Sequence, residues 1–93
     1  TLAAEVAAEG ITVNVIMPGR VATDRLRQLD EARAQRENVS YDSVVQASLK
    51  QIPMGRYGDP QEYGDTAAFL ASQSASFITG SVIRVDGGQI QAI

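Results

Sequence analysis

The run from Ile11 to Met17 limits what this chain can fold into more than any other stretch. Ile11, Val13, Val15, Ile16 and Met17 form an almost unbroken apolar segment rich in β-branched residues. That pattern suits a strand covered on both faces, as in a parallel sheet packed between helices. The run then stops. Pro18 has no N–H to give a ladder, and Gly19 permits backbone angles that other residues avoid. Ligands in an open α/β sheet sit beyond the carboxyl ends of the strands. Gly19 to Thr23 is therefore expected to line a pocket, with Val21 offering main-chain groups and Thr23 a hydroxyl. Pro18-Gly19 also has a plainer reading as a strand-ending turn, and these two residues alone do not separate the readings.

On either side of this segment the chain alternates. Thr1 to Glu9 reads as the tail of a helix, with Leu2 and Val6 on one face and Gly10 as its stop. Thr23 or Asp24 caps a second helix running to Asn38, with Leu26, Leu29 and Ala32 as its apolar residues and mixed charges around them. Local ion pairs such as Asp30 with Arg33 are expected there. Ser40 caps a third helix from Tyr41 to Ile52, whose apolar side is Val45, Leu49 and Ile52. Residues 24–52 thus form a helical insertion with a thin apolar stripe, suited to act as a lid over a ligand or to be surface decoration. After a turn-rich connector, Asp59, Pro60 and Glu62 make an N-cap, an N1 proline and a capping-box glutamate. The helix they start is expected to reach Ser72, with Tyr63, Ala67 and Leu70 facing a sheet and Phe69 alongside. Ser81 to Asp86 reads as a second strand, ended by Gly87-Gly88. Strand, helix and strand in this order imply parallel pairing.

Two strands alone make a poor sheet, and the chain opens on Thr1 inside an apparent helix. Both features are read as signs that residues 1–93 are part of a larger domain. Ninety-three residues suffice for one small domain that buries about 60–65% of its unfolded surface. A net charge of −3 without a basic patch argues against a nucleic-acid partner. No apolar run approaches a membrane span, and no signal peptide is visible. The absence of cysteine and histidine removes thiolate chemistry and the commonest general base and metal ligand. No phosphate-binding glycine motif, nucleophile elbow or metal-ligand spacing is present, and no close carboxylate pair lies on one predicted pocket wall. Arg20 is either a contact for an anionic ligand or a solvated surface residue. None of Tyr41, Tyr57 and Tyr63 has a lysine four residues later, so none looks like a phenol made acidic by an ammonium neighbour. No catalytic constellation is complete, and no metal site is expected.

Three segments carry a resemblance: Gly10 to Thr23 (GITVNVIMPGRVAT), Ile52 to Glu62 (IPMGRYGDPQE), and Phe69 to Gly88 with its FLAS, ASFITG and VDGG runs. In this order and spacing the chain resembles the C-terminal half of a short-chain dehydrogenase/reductase, with the 3-oxoacyl-[acyl-carrier-protein] reductase-like branch as the nearest likeness. The resemblance implies an α/β fold: the C-terminal part of a doubly wound, Rossmann-like parallel sheet, here two parallel strands with helices and a lid insertion over 24–52. It implies hydride transfer between NAD or NADP and a carbonyl or alcohol substrate, including 3-oxoacyl thioesters. Pro18 and Gly19 would border the nicotinamide, Val21 would meet its carboxamide through the backbone, and Thr23 would bond the carboxamide or pyrophosphate. Asn14 matches a position of structural role. The second strand and the tail to Ile93 resemble the segment through which family members build homodimers and tetramers, and the family implies a cytoplasmic protein. The family's glycine-rich fingerprint, its Asn-Ala-Gly segment, its catalytic serine and its Tyr-x-x-x-Lys have no counterpart in these residues. The expectation is therefore a parent reductase whose cofactor-binding half is absent here, and a chain that alone neither holds cofactor tightly nor turns over. The rival readings are a self-pairing assembly module and a poorly folded, non-enzymatic remnant.

Overall fold

The computed structural model describes residues 1–90. Helix α1 (Leu2–Val6) and a single 3-10 turn lead to strand β1 (Val15–Pro18). Helices α2 (Asp24–Glu37), α3 (Tyr41–Lys50) and α4 (Pro60–Leu70) follow, and strand β2 (Val82–Val85) closes the order. β1 and β2 pair in parallel, Val15 against Val82 through Pro18 against Val85. This is the α/β arrangement expected from the alternation, with α4 in the connection between the parallel strands. The sheet-facing side expected for Tyr63, Ala67 and Leu70 is not seen as packing, since no α4 residue is buried.

Local chemistry sets the element ends. Thr1 caps α1 through its hydroxyl, which accepts from Ala4 N at 3.2 Å. The 3-10 turn after α1 stops at Gly10, whose φ of 78° lies in the left-handed region. Ser40 caps α3 by accepting from Ser43 N. Asn38 ends α2 at φ 54° and donates its N–H back to Ala34 O and Gln35 O, a conformation asparagine tolerates better than most residues. At α4 the capping box is complete: Asp59 Oδ1 accepts from Gln61 N, and Glu62 Oε1 accepts from Asp59 N, both at 2.8 Å.

Several sequence expectations need correction. Ile11–Asn14 is not strand; it is tied instead by single contacts, Val13 N to Thr79 Oγ1 and Gly80 N to Val13 O. Asn14 supplies the clamp, its amide donating to Ile78 O and accepting from Ser81 N. Pro18 lies inside β1 as its last residue, where a missing N–H costs no ladder bond. α4 ends at Leu70 rather than Ser72, because the chain tightens into a second 3-10 turn at Gln73–Ala75. On α2 the buried stripe is Leu26, Asp30 and Ala34, while Leu29 is 52% exposed. Arg33 pairs with Glu37 at 2.7 Å and not with Asp30. On α3 the buried residues are Val44 and Ser48, one position earlier than Val45 and Leu49. The expected tail contact extends past the described residues at 91–93.

The core is thin. Ala3, Leu26, Ala34, Val44, Ile52 and Ala75 are the buried apolar residues. Helices α2 and α3 pack on each other, and neither packs extensively on the sheet or on α4. The accessible surface is 6789 Å², against about 5,200 Å² for a compact monomer of this mass. The sheet is open: Val15, Met17 and Val82 are each about half exposed.

Candidate functional site

The segment after β1 is held from two sides. Gly19 N donates to Val85 O at 2.9 Å, which carries the parallel pairing one step past Pro18. A side chain at Gly19 would meet Asp86, with a Cβ 2.6 Å from Asp86 Cβ and 2.8 Å from its Cα. Gly19 is thus required by the close approach of a second backbone, and its φ is not positive. The conformational freedom noted from the sequence is not used here; the requirement is steric.

Beyond Gly19 the loop meets the connector. Val21 bridges Gly58 in parallel. Gly58 N donates to Arg20 O, and Ala22 N donates to Gly58 O, both at 2.8 Å. In a parallel bridge the flanking residues make the bonds, so Val21's own N–H and C=O point the other way. Neither has a hydrogen-bond partner among the described residues. Thr23 caps α2 by accepting from Leu26 N at 3.2 Å. Its hydroxyl hydrogen remains uncommitted among the described residues.

The four expected site residues divide between surroundings. Val21 lines a cleft of about 400 Å³ with Arg20, Arg56, Asp59, Asp86 and Gly87 among its walls. Thr23 lines a smaller one of about 250 Å³, bounded by Asp30, Tyr41 and Tyr57 among others. Pro18 and Gly19 border neither cleft and join the strand to the loop. The larger cleft is lined by the carboxylates of Asp59, Glu62 and Asp86, and each is engaged. Asp59 and Glu62 cap α4, and Asp86 accepts from Gly88 N and Ile90 N. Glu62 is pulled down to about 2, first by its hydrogen bond to Arg56 and then by the Asp59 N–H. Among the described residues, no group of three His, Cys, Asp or Glu is placed to hold a metal.

Arg20 has a side chain 36% exposed, lines the larger cleft, and places Nη1 3.8 Å from Asp30 Oδ1. Tyr57 Oη donates to Asp30 Oδ2 at 2.7 Å. Burial, and then this hydrogen bond, push the Tyr57 phenol above its ordinary value; Ser48 and Arg20 oppose them. Tyr57 is therefore held as a neutral donor, the opposite of a phenol tuned for proton transfer near pH 7. Sequence reasoning missed this cluster. The available signal was the i, i+4, i+8 stripe Leu26–Asp30–Ala34, which places a carboxylate where only a hydrogen-bonded one is tolerated.

Parallel strands, flanking helices, and a loop with unspent main-chain groups past a strand's carboxyl end define a doubly wound, Rossmann-like α/β protein. Residues 1–89 match the profile of the enoyl-(acyl carrier protein) reductase family, and the chain belongs to the short-chain dehydrogenase/reductase family. It is 43% identical over 89 residues to the 3-oxoacyl-[acyl-carrier-protein] reductase FabG of Vibrio cholerae serotype O1, a match covering 95% of this chain and 32% of that protein. Its fold is similar to that of YwfH, an NADPH-dependent reductase involved in bacilysin biosynthesis (TM-score 0.89, 38% identity, 99% of this chain and 35% of that one). It is also similar to a short chain dehydrogenase family protein from Francisella tularensis (TM-score 0.91, 35% identity, 98% and 38%). The chain spans about a third of the length of the curated relatives it matches.

Proposed function

We propose that this chain is the C-terminal portion of an NAD(P)-dependent reductase and forms one wall of its nicotinamide cleft. The observation that carries the reading is the unspent N–H and C=O of Val21 and, two residues on, the unspent hydroxyl hydrogen of Thr23, past the carboxyl end of a parallel strand. A primary carboxamide needs one acceptor and one donor in this kind of array, and a main-chain pair supplies both in fixed geometry. The bound dinucleotide would supply the hydride. The chain's own residues orient it: Pro18 and Gly19 set the direction of the loop, Val21 and Thr23 hold the amide, and α2 and α3, within the lid of residues 24–52, exclude water.

The substrate class favoured is a carbonyl or alcohol, with 3-oxoacyl thioesters first because a relative at 43% identity bears that activity in its name. NADPH is the favoured dinucleotide because similar reductases carry it in theirs. In this reading the proton donor and the dinucleotide loop belong to sequence outside these residues, and the open face of β1 and β2 is where that sequence packs. Assembly into a homo-oligomer through β2 and the residues after it belongs to the same proposal. The half-exposed Val15, Met17 and Val82 also favour a second reading, a self-pairing module. Titration of this chain with NADPH, followed by nicotinamide fluorescence, tests the division of labour. No saturable binding is expected in the micromolar range; micromolar binding would overturn it.

A further inference from the structure

Asp30 is a charged residue only 2% exposed, yet it sits on a helix that packs little on the rest of the molecule. Three segments meet at its carboxylate. Tyr57 in the connector donates to Oδ2 at 2.7 Å, and Arg20 in the loop after β1 places Nη1 3.8 Å from Oδ1. Each of these two residues precedes a member of the Val21–Gly58 bridge, so Arg20 and Tyr57 are joined to each other by the main chain. The α2–α3 pair is otherwise anchored near Ile52, whose Cγ2 lies 2.9 Å from where a Cβ on Gly87 would be.

We propose that Asp30, with Tyr57 as its hydrogen-bond donor and Arg20 as a longer ion-pair partner, is the latch that sets the position of the α2–α3 lid over Thr23. An apolar contact of similar area would let the helix slide and rotate, because hydrophobic attraction is non-directional. A carboxylate met from two directions permits one rotation of α2 about its axis. Buried ion pairs add little net stability, because desolvation offsets attraction. The network therefore fixes geometry more than it adds stability, and lifting α2 re-hydrates all three groups together, so release is possible without unfolding. Asp30, Tyr57 and Thr23 line the same cleft of about 250 Å³, so the latch sets that cleft's shape. Arg20, Asp30 and Tyr57 are positioning residues in this account. The term lid rests on the function proposed above, whereas the docking of α2 does not.

Hydrogen–deuterium exchange of the full chain tests the docking. Tyr57→Phe removes one oxygen and is expected to speed exchange of the α2 amides by about tenfold while leaving those of α4 unchanged. Asp30→Asn keeps an oxygen for Tyr57 and is expected to retain most of the protection that Asp30→Ala loses. Unchanged α2 exchange in Tyr57→Phe would overturn the latch, and so would equal acceleration in α2 and α4, which marks a general core role. In the longer protein Tyr57→Phe is expected to raise KM for the carbonyl substrate and to weaken nicotinamide binding, because the cleft it reshapes is the one Thr23 lines. A wild-type protein that binds no nicotinamide would sink the reductase reading, while the exchange comparison still decides the latch.

Discussion

At the scale of single residues, Gly19 carries the sharpest constraint. Any side chain there enters the space of Asp86, and the nearest atoms are backbone and Cβ rather than the end of a flexible chain. Gly19→Ala is expected to destabilise by about 1–3 kcal/mol as β1 and β2 are forced apart. Gly58→Ala, whose new Cβ would find its nearest neighbours at 3.8 Å, is expected to cost far less. Urea unfolding midpoints of the two variants check the contrast, and equal losses would remove the steric account. Thr23 has two separable duties. Its oxygen caps α2 by accepting from Leu26 N, and its hydrogen is free to donate. Thr23→Ser keeps both and is expected to behave as wild type. Thr23→Ala is expected to cost about 1 kcal/mol of stability through the lost cap and also to weaken nicotinamide binding in the longer protein. A thermal melt paired with a dinucleotide titration separates the two effects.

At the scale of elements, α4 shows what local signals settle. The cap Asp59, the N1 proline and Glu62 lie within four residues, so their cooperation is legible in the sequence and present in the structure. Arg56 adds a two-pronged contact to Glu62, at 2.7 and 3.0 Å. Because Glu62 titrates at about 2 in the folded chain, below the ordinary glutamate value of about 4.3, its share of cap stability is present above that ordinary value. That share is lost as pH falls through about 2. A carbon-detected NMR titration of the Glu62 carboxyl is expected to give a midpoint near 2 in the native chain and a higher one in Arg56→Gln. An unshifted midpoint in that variant would remove Arg56 as the main cause. The parallel pairing, the order of the helices and the loop holding Val21 and Thr23 were legible for the same reason: strand composition and Pro18-Gly19 are short-range signals. The buried face of α2 was not. Choosing Asp30 over Leu29 depends on Tyr57, 27 residues further on, and on Arg20 across a loop. The steric need for Gly19 likewise depends on Asp86, at the end of the other strand. The Leu26–Asp30–Ala34 spacing is present in the sequence, but contacts of that separation leave nothing local to say that a carboxylate belongs on the buried face.

At the scale of the whole molecule, the chain is longer and more open than its size requires. Its radius of gyration is 16.9 Å and its longest extent 55 Å, against about 12 Å expected for a compact domain of this length. Val15 and Met17 alternate onto one face of β1, and Val82, in register with Val15, joins them there. All three are 48–52% exposed, although β-branched and apolar side chains of parallel strands are ordinarily covered on both faces. With only two strands, the sheet cannot cover itself. The remaining two-thirds of a relative's length is enough sequence to do so, which is how the proposed division of the protein accounts for both the shape and the composition of β1. The chain on its own is then expected to hide this face by self-association. Light scattering should give a mass that rises above 9.9 kDa with concentration, and a dye that binds apolar surface should fluoresce. Met17→Lys places a charge in the middle of the face and is expected to lower both signals in the isolated chain. In the longer protein, where the face is covered, the same substitution buries an unpaired charge and is expected to destabilise the fold strongly. A chain that stays monomeric and dye-silent, or a longer protein indifferent to Met17→Lys, would mean that nothing packs on this face.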